Sequence, residues 1–326
     1  MSATAPTADA ATAGVSTATA SREVVILANP FSGSGPNRTY VDRLVKVLDT
    51  VSLQPRVVWD PAAREQVLAD PDLATTCRCL VSAGGDGSLA DVLNDLHRLN
   101  PAALGTLPLA TLPIGNENLF ARQFGYTRKP GRIAEAIAHH ATRPVDIGVA
   151  GTRLFTLMAS AGFDADVVHR VAQWRRGTTG GAPGTTLKRV NRLSYVGKIL
   201  ATVRQYDYPT LTVEADGVTA RGSHVFVFNL PQYGGNLGIA RHAQGDDAML
   251  DWIMFEKPGL MNLADYAWAV LRTRHLGRPD VPHGRARRIR ITSDVPVPIQ
   301  ADGDPAGWTP LDITIMPAAV QVVTLR

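Results

Sequence analysis

Three short apolar runs in the first half of the chain each end in a glycine-bearing turn, and each turn leads into an amphipathic segment. "VVILA" (Val24 to Ala28) runs into "NPFSGSG" (Asn29 to Gly35). "CLVSA" (Cys79 to Ala83) runs into "GGDGS" (Gly84 to Ser88). "LATLP" (Leu109 to Pro113) runs into "IGNEN" (Ile114 to Asn118). The runs have the length of strands, and the segments behind them repeat their apolar residues every three or four positions. Val41, Leu44, Val45 and Leu48 form one such stripe, and Leu89, Val92, Leu93, Leu96 and Leu99 form another. "RVVW" (Arg56 to Trp59) adds a strand, and "ENLFARQF" and "RIAEAIAHHA" add helices. Ser88, with Asp91 three residues on, reads as the N-cap of the helix after the second turn. Alternating strands and helices make a parallel sheet covered by helices. All three turns then lie at the carboxyl ends of parallel strands, the edge where open α/β sheets hold ligands.

After Pro144 the texture changes. "VDIGVAGTRLFTLMASAGFDADVV", "TLTVEADGVTARGSHVFVFNL", "RARRIRITS" and "PVPIQADGDPAG" are strand-like runs split by Gly, Asp and Pro, which reads as an antiparallel sandwich. The expected organisation is a tail over residues 1–21, an α/β domain over 22–145 and a β-sandwich over 146–310. The C-terminal strand, 311–326, is a candidate to complete the α/β sheet. The run Gly177 to Thr186 is expected to be a mobile loop.

The first twenty residues are almost all Ala, Thr and Ser, without the basic start and apolar core of a secretory signal. They read as a disordered tail. A transit peptide is the competing reading, against which stands the absence of Arg before Arg22. No apolar run reaches the roughly 18 residues of a membrane span, so the expectation is a soluble or peripheral protein. Cys77 and Cys79 would point the same way from a strand, which suits packing better than a disulfide. No further ligands stand near them for a metal, and such usage fits a reducing cytoplasm. The formal net charge of +4 and pI near 9.2 fit a nucleotide, nucleic acid or anionic lipid, and equally fit ordinary solubilising charge.

Glycines in the three turns allow positive φ and close approach of a phosphate, and the helices behind them offer unpaired amides. "NPFSGSG" lacks the Lys of a P-loop and the spacing of a dinucleotide fingerprint. In "GGDGS", Asp86 is either a carboxylate for Mg2+ or a nucleotide edge, or a plain turn residue.

Taken together, "NPFSGSG", "GGDGS", "LPIGNENLFAR" and "DGDPAG" resemble, in order and approximate spacing, the diacylglycerol kinase catalytic-domain superfamily, which includes bacterial lipid kinases and sphingosine and ceramide kinases. The resemblance spans about Glu23 to Arg326. It implies an N-terminal α/β nucleotide domain and a C-terminal β-sandwich, with the active site in the cleft between them. It implies ATP and Mg2+, and transfer of the γ-phosphate to a lipid hydroxyl of diacylglycerol or sphingoid type. Asn29, Pro30, Ser32, Gly33 and Gly35 would belong to the first phosphate loop. Gly84, Gly85, Asp86, Gly87 and Ser88 would hold the nucleotide phosphates, with Asp86 near Mg2+ and at the catalytic centre. Gly115, Asn116 and Asn118 would form the third turn, with Asn116 where Thr is usual. Asp302 and Gly303 would adjoin the nucleotide. Asp304 stands where the family has Glu and would take the proton from the lipid hydroxyl, as general-base catalysis requires. Where many members have a Thr that touches the nucleotide, Asp60 or a neighbour stands here.

Asp146 resembles an acid that helps hold Mg2+ or the catalytic carboxylate. Gln244, Asp247 and Met249 match the positions that bind a structural Mg2+ in bacterial members, with Ala248 replacing the usual Gly. Arg170, Arg175, Arg176, Lys188, Arg189, Arg192 and Lys198, with Trp174 and Tyr195, lie in a stretch that either attracts anionic headgroups or is a solvated face. In "RARRIR" (Arg285 to Arg290) the arginines read as the wet side of a strand. The expected partner is a lipid at the membrane surface, with no nucleic acid, and the resemblance allows a homodimer. The expected location is cytoplasmic with peripheral membrane association. NAD kinases and phosphofructokinases share the GGDG turn but not the whole set. A soluble-substrate kinase of the NAD kinase type and a catalytically weak nucleotide or lipid sensor are the alternatives, the second motivated by Asn116 and Asp304.

Overall fold

The computed structural model describes residues 21–30, 37–178, 206–234 and 237–325. The expected tail over 1–20 and most of the expected glycine-rich loop lie outside these residues, although Gly177 and Thr178 fall within a helix.

The first half builds a parallel sheet from β1 (Glu23–Ala28), β2 (Gln54–Val58), β3 (Cys77–Gly84) and β4 (Pro108–Pro113), in the order β2-β1-β3-β4. β3 and β4 are buried almost throughout, as strands covered on both faces by helices must be. The helices are α1 (Asn37–Thr50), α2 (Pro61–Leu68), α3 (Leu73–Thr76), α4 (Asp86–Leu99), α5 (Pro101–Leu104), α6 (Leu119–Gln123) and α7 (Pro130–His139). In α4 the expected stripe faces inward: Leu89, Val92, Leu93 and Leu96 are buried. The cap differs from expectation. Helical backbone begins at Asp86 with Gly85 as N-cap, so Ser88 lies inside the first turn and is not the N-cap. The glycines allow the chain to turn into the helix three residues earlier than a cap at Ser88 would. Asp60 has a local role, because its Oδ2 accepts from the Ala63 amide at 2.9 Å and caps α2.

β5 (Thr142–Ala150), β6 (Arg153–Phe155) and β7 (Met158–Ala161) lead into α8 (Phe163–Thr178). The strand-like reading of "FDADVV" is therefore corrected, since those residues open a helix. The second half continues with β8 (Leu211–Ala215), β9 (Val218–Gly222), β10 (His224–Phe228), β11 (Leu250–Phe255), α9 (Leu260–Leu271), β12 (His283–Ala286), β13 (Arg288–Ser293), β14 (Pro298–Ala301), β15 (Asp304–Trp308) and β16 (Leu311–Val323).

A six-stranded antiparallel sheet runs β12-β11-β10-β7-β14-β15. Every residue of β10 is buried, and the strand's period of two sorts them. Val225 and Val227 join a core with Val213, Met254, Ile289, Ile291 and Ile299. Phe226 and Phe228 join the core that continues under the first sheet.

β16 ties the halves together. Its first part pairs antiparallel with β13, and its last part pairs parallel with β4 at Gln321 and Val322. β5 runs antiparallel along almost all of it. One thirteen-residue strand thus belongs to the ten-stranded sheet at both its parallel and antiparallel ends. Cys77 and Cys79 are buried free thiols, and burial pushes the Cys77 thiol up to about 11.

Candidate active site

The second and third turns meet backbone to backbone. A Cβ on Gly115 would lie 2.4 Å from the Gly85 Cα, and one on Gly85 would lie 3.2 Å from the Gly115 Cα. Glycine at 115 is thus required by the neighbouring turn. The carbonyl of Gly84 accepts from the amides of Ile114 and Gly115 at 3.0 and 3.2 Å. Asn118, buried and left-handed at φ 51°, closes the loop with both ends of its amide: Oδ1 accepts from Gly115 N and Nδ2 donates to Gly115 O, each at 2.9 Å. Arg128, which sequence reasoning missed, donates to the carbonyls of Pro113 and Gly115 at 3.0 and 2.9 Å.

Asp86 joins the same structure. Its Oδ1 accepts from Phe120 N and its Oδ2 from Leu119 N, both at 2.9 Å. The carboxylate expected beside Mg2+ therefore holds the start of α6. Behind it, Phe120 and Phe124 pack at 4.6 Å between ring centroids.

What remains open faces outward. The N-cap of α4, Gly85, has no side chain to cap it, and the amides of a helix's first turn have no intrahelical acceptor. Among the described residues a Cβ on Gly87 would meet nothing within 4 Å. Ser88 Oγ receives a hydrogen bond from Asn29 Nδ2 at 2.9 Å, which ties the end of β1 to the second turn. Pro30 and Asn116 are exposed. Ser32, Gly33 and Gly35 lie outside the described residues. A capless helix start beside a glycine with open space suits a phosphate.

The opposite wall comes from the sandwich. Asp302 and Gly303, at φ 50° and 86°, form the tight turn between β14 and β15. The Asp302 carboxylate is held by the strand entering β7. Its Oδ2 accepts from Thr156 N and Thr156 Oγ1 at 2.6 and 2.9 Å, and its Oδ1 from Leu157 N and Met158 N at 2.9 and 3.0 Å. Burial raises its pKa, against the opposing pull of those donors. Gly303 N donates to Gln300 Oε1 at 2.8 Å. Gln300 Nε2 in turn donates to Ser160 Oγ and Asp164 Oδ2, both at 2.9 Å. Tyr233 OH donates to Asp164 Oδ1 at 2.8 Å.

Asp304, the next residue, is different. It is partly exposed and ion-paired with Arg153 Nη2 at 2.8 Å. Across from it stands Asp91 of α4, a residue sequence reasoning used only as a cap. Desolvation by the surrounding protein and then the charge of Asp304 raise the Asp91 pKa, while Arg64 and Arg153 oppose the rise. Asn94, one turn further along α4, fixes this meeting. Its Oδ1 accepts from Leu154 N at 2.9 Å and its Nδ2 donates to Leu154 O at 3.1 Å.

The residues expected around a metal have these partners in the structure. Asp146 is buried and its two oxygens accept from Ala248 N and Ala318 N, each at 2.7 Å. It clamps the 248 turn to β16. Asp247 Oδ1 accepts from Met249 N at 3.1 Å, and its Oδ2 is engaged by the Arg285 guanidinium. Gln244 is exposed. Among the described residues no three His, Cys, Asp or Glu side chains gather to hold an ion. Arg285 supplies positive charge to Asp247 and, at 3.8 Å, to Asp251. It lies on the exposed side of its strand, as expected, and pairs with these acids there. In the basic stretch, Arg170 pairs with Asp166 on its own helix at 2.7 Å, and residues 188–198 lie outside the described residues.

A parallel sheet with glycine turns at its edge, facing a carboxylate carried by a second, antiparallel sheet, defines a two-domain phosphotransferase. The chain belongs to the diacylglycerol kinase family, in the form that carries a YegS-type C-terminal domain. Residues 23–150 match the diacylglycerol kinase catalytic domain, and residues 158–324 match the YegS C-terminal NAD kinase beta sandwich-like domain. The chain is similar to a Bacillus subtilis diacylglycerol kinase, with 25% identity over 80% of each chain. It is 26% identical to a Mycobacterium tuberculosis diacylglycerol kinase over 93% of this chain and 96% of that one. A "Probable lipid kinase YegS-like" protein of Pseudomonas aeruginosa is 26% identical, over 82% of this chain and 83% of its own. A crystal structure of a Bacillus anthracis diacylglycerol kinase shares the fold, with a TM-score of 0.66 at 17% identity over 93% and 97% of the two chains. Family membership makes this chain a lipid kinase.

Proposed function

We propose that the chain transfers the terminal phosphoryl group of ATP to the hydroxyl of a lipid of diacylglycerol or sphingoid type, with Asp304 accepting the hydroxyl proton. The observation that carries this reading is the meeting of Asp304, from the sandwich, with α4 of the nucleotide domain. A carboxylate that is partly exposed and held by Arg153 at 2.8 Å is available to a hydroxyl, whereas Asp302 and Asp86 are engaged by backbone amides. Phosphoryl transfer asks the protein mainly for positioning and charge. The amides at the start of α4 and the space beside Gly87 would receive phosphate oxygens. Mg2+ arriving with the nucleotide would neutralise phosphate charge, since that ion keeps most of its ligands as water and phosphate oxygen. Arg153 would keep Asp304 turned towards the cleft.

The test offers labelled ATP with diacylglycerol, monoacylglycerol and sphingosine in mixed micelles, and NAD as a soluble acceptor. Phosphorylation of a lipid is expected, and Asp304→Asn should lower kcat by about a hundredfold or more while ATP still binds. Labelling of NAD alone would replace the reading with a soluble-substrate kinase. ATP binding without turnover on any acceptor would replace it with a sensor. Full activity of Asp304→Asn, with loss in Asp91→Asn, would move the base to Asp91.

A further inference from the structure

Of the seven large apolar side chains exposed among the described residues, four lie on α9: Leu260, Met261, Trp268 and Leu271, at 48, 83, 57 and 62% exposure. At 100° per residue they fall, with the exposed Ala264 and Ala267, within an arc of about 120°. Tyr266, Ala269 and Val270 point the other way and are buried. Tyr266 packs on Phe255 at 4.7 Å, and Phe255 packs on Phe226, so the helix is seated on the core by its inner face alone. The outer face is thus a continuous apolar strip on a well-anchored helix.

Among the described residues the unpaired charges beside the strip's C-terminal end are basic. Arg272 lies over the Trp268 ring at 4.5 Å, and Arg274 follows it, exposed. The one acid of α9, Asp265, is paired with Arg278 at 2.8 Å. An apolar strip with a central Trp, bordered by arginines, is the pattern of a helix that lies in the surface of an anionic bilayer. Tryptophan favours that boundary because its ring is apolar and its N–H polar. Among the described residues no helix is long and apolar enough to cross a membrane.

We propose that α9 docks the protein on an anionic lipid surface, with Met261, Trp268 and Leu271 entering the acyl boundary and Arg272 and Arg274 meeting the headgroups. The choice of a bilayer as occupant rests on the lipid-kinase reading, but the test does not use catalysis. The full chain is sedimented with vesicles of phosphatidylcholine alone or mixed with phosphatidylglycerol, without ATP or substrate. Wild type should sediment with the mixed vesicles and release in high salt. Met261→Glu with Trp268→Glu should weaken binding about tenfold or more, with an unchanged melting temperature because both side chains are exposed. Arg272→Glu with Arg274→Glu, which keeps the apolar strip, should remove the preference for phosphatidylglycerol. Phosphorylation of lipid in detergent micelles should be unaffected in both variants, which separates this proposal from the kinase reading. Absence of wild-type binding, or binding of the first variant within twofold of wild type, overturns it. So does a change from dimer to monomer in that variant with vesicle binding intact, since a second copy would then cover the strip.

Discussion

Asp302 and Asp304 are two residues apart, and the structure gives them opposite work. Asn at 302 keeps the left-handed backbone accessible and the side-chain size, but replaces one accepting oxygen with an NH2 group. Turned towards Leu157 and Met158, that NH2 would face two backbone donors now at 2.9 and 3.0 Å. Turned towards Thr156, it would face one amide at 2.6 Å and one hydroxyl that can rotate and accept. The second orientation is cheaper, yet leaves one buried amide unpaired, at about 1–3 kcal/mol. Two bonds to a charged acceptor become bonds to a neutral one, a loss of about 1 kcal/mol each. Part of this is returned, because burial disfavours the charge that the variant removes. The net expectation for Asp302→Asn is about 2–4 kcal/mol, or roughly 5–10 °C in Tm. Asp304→Asn breaks one ion pair whose partners are 25% and 41% exposed, so its stability should stay within about 1 kcal/mol of wild type while activity is lost. The assay is thermal and urea denaturation of both variants beside lipid phosphorylation. An Asp302→Asn variant as stable as wild type, or equal destabilisation by both, would refute the division of roles.

Gly115→Ala would force carbon atoms to 2.4 Å, where about 3.5–4 Å is normal. The two turns must then part by about 1 Å, at a cost of about 1–3 kcal/mol in stability and about a hundredfold in kcat/KM for ATP. Gly87→Ala, with open space, should instead gain about 0.5–1 kcal/mol of helix stability and weaken ATP binding if phosphate occupies that space. Melting curves and ATP titration read both variants. Arg285→Ala should lower stability by about 1–2 kcal/mol because it leaves Asp247 and Asp251 side by side. Excess EDTA should leave the wild-type melting temperature unchanged, and a chelator-induced fall would place an ion at the 244–251 segment. Asp280 has its pKa held well below the ordinary carboxylate range, first by its hydrogen bond with Arg278 and also by Lys257 and Tyr266. A depressed folded pKa contributes stability above the unfolded value of about 3.9 and loses it as pH falls towards the folded one. The urea midpoint of wild type should therefore drop below about pH 4 more steeply than that of Asp280→Asn, and parallel curves would contradict this.

The strand–turn–helix order was legible because periodicity and glycine punctuation are local signals. β1, β3 and β4 lie where the apolar runs stand, and the helix stripe of α4 faces inward. What stayed hidden depends on contacts distant in sequence. Asp86 meets the amides of Leu119 and Phe120, more than thirty residues away. Arg285 meets Asp247 across thirty-eight positions. In "RARRIR" its charge and alternation read the same whether the guanidinium meets water or acids. α9 escaped for another reason. "LMNLADYAWAVL" has apolar residues on both its buried and exposed faces, which blurs the period that marks a helix with a single apolar face.

The carboxylates of the cleft divide by the partners they meet, and the division has a physical cause. A carboxylate removed from water needs several donors to remain charged, and in tight turns the nearest donors are backbone amides. Asp86, Asp146 and Asp302 all satisfy that need with amides from a different segment, so each carboxylate holds two pieces of chain together. Such residues make the turns reproducible, and little of their accepting capacity is left for a ligand. A group that acts on a substrate must keep part of itself open. Asp304 and Asp91 do so at the meeting of the two domains, and Asn116 does so on the third turn. The resemblance to lipid kinases drew attention to the glycine and aspartate motifs as ligand-binding elements. In this chain Asp86, Asp146 and Asp302 tie segments of the cleft together, and the proposed chemistry rests on Asp304, which backbone amides leave free for its ion pair with Arg153.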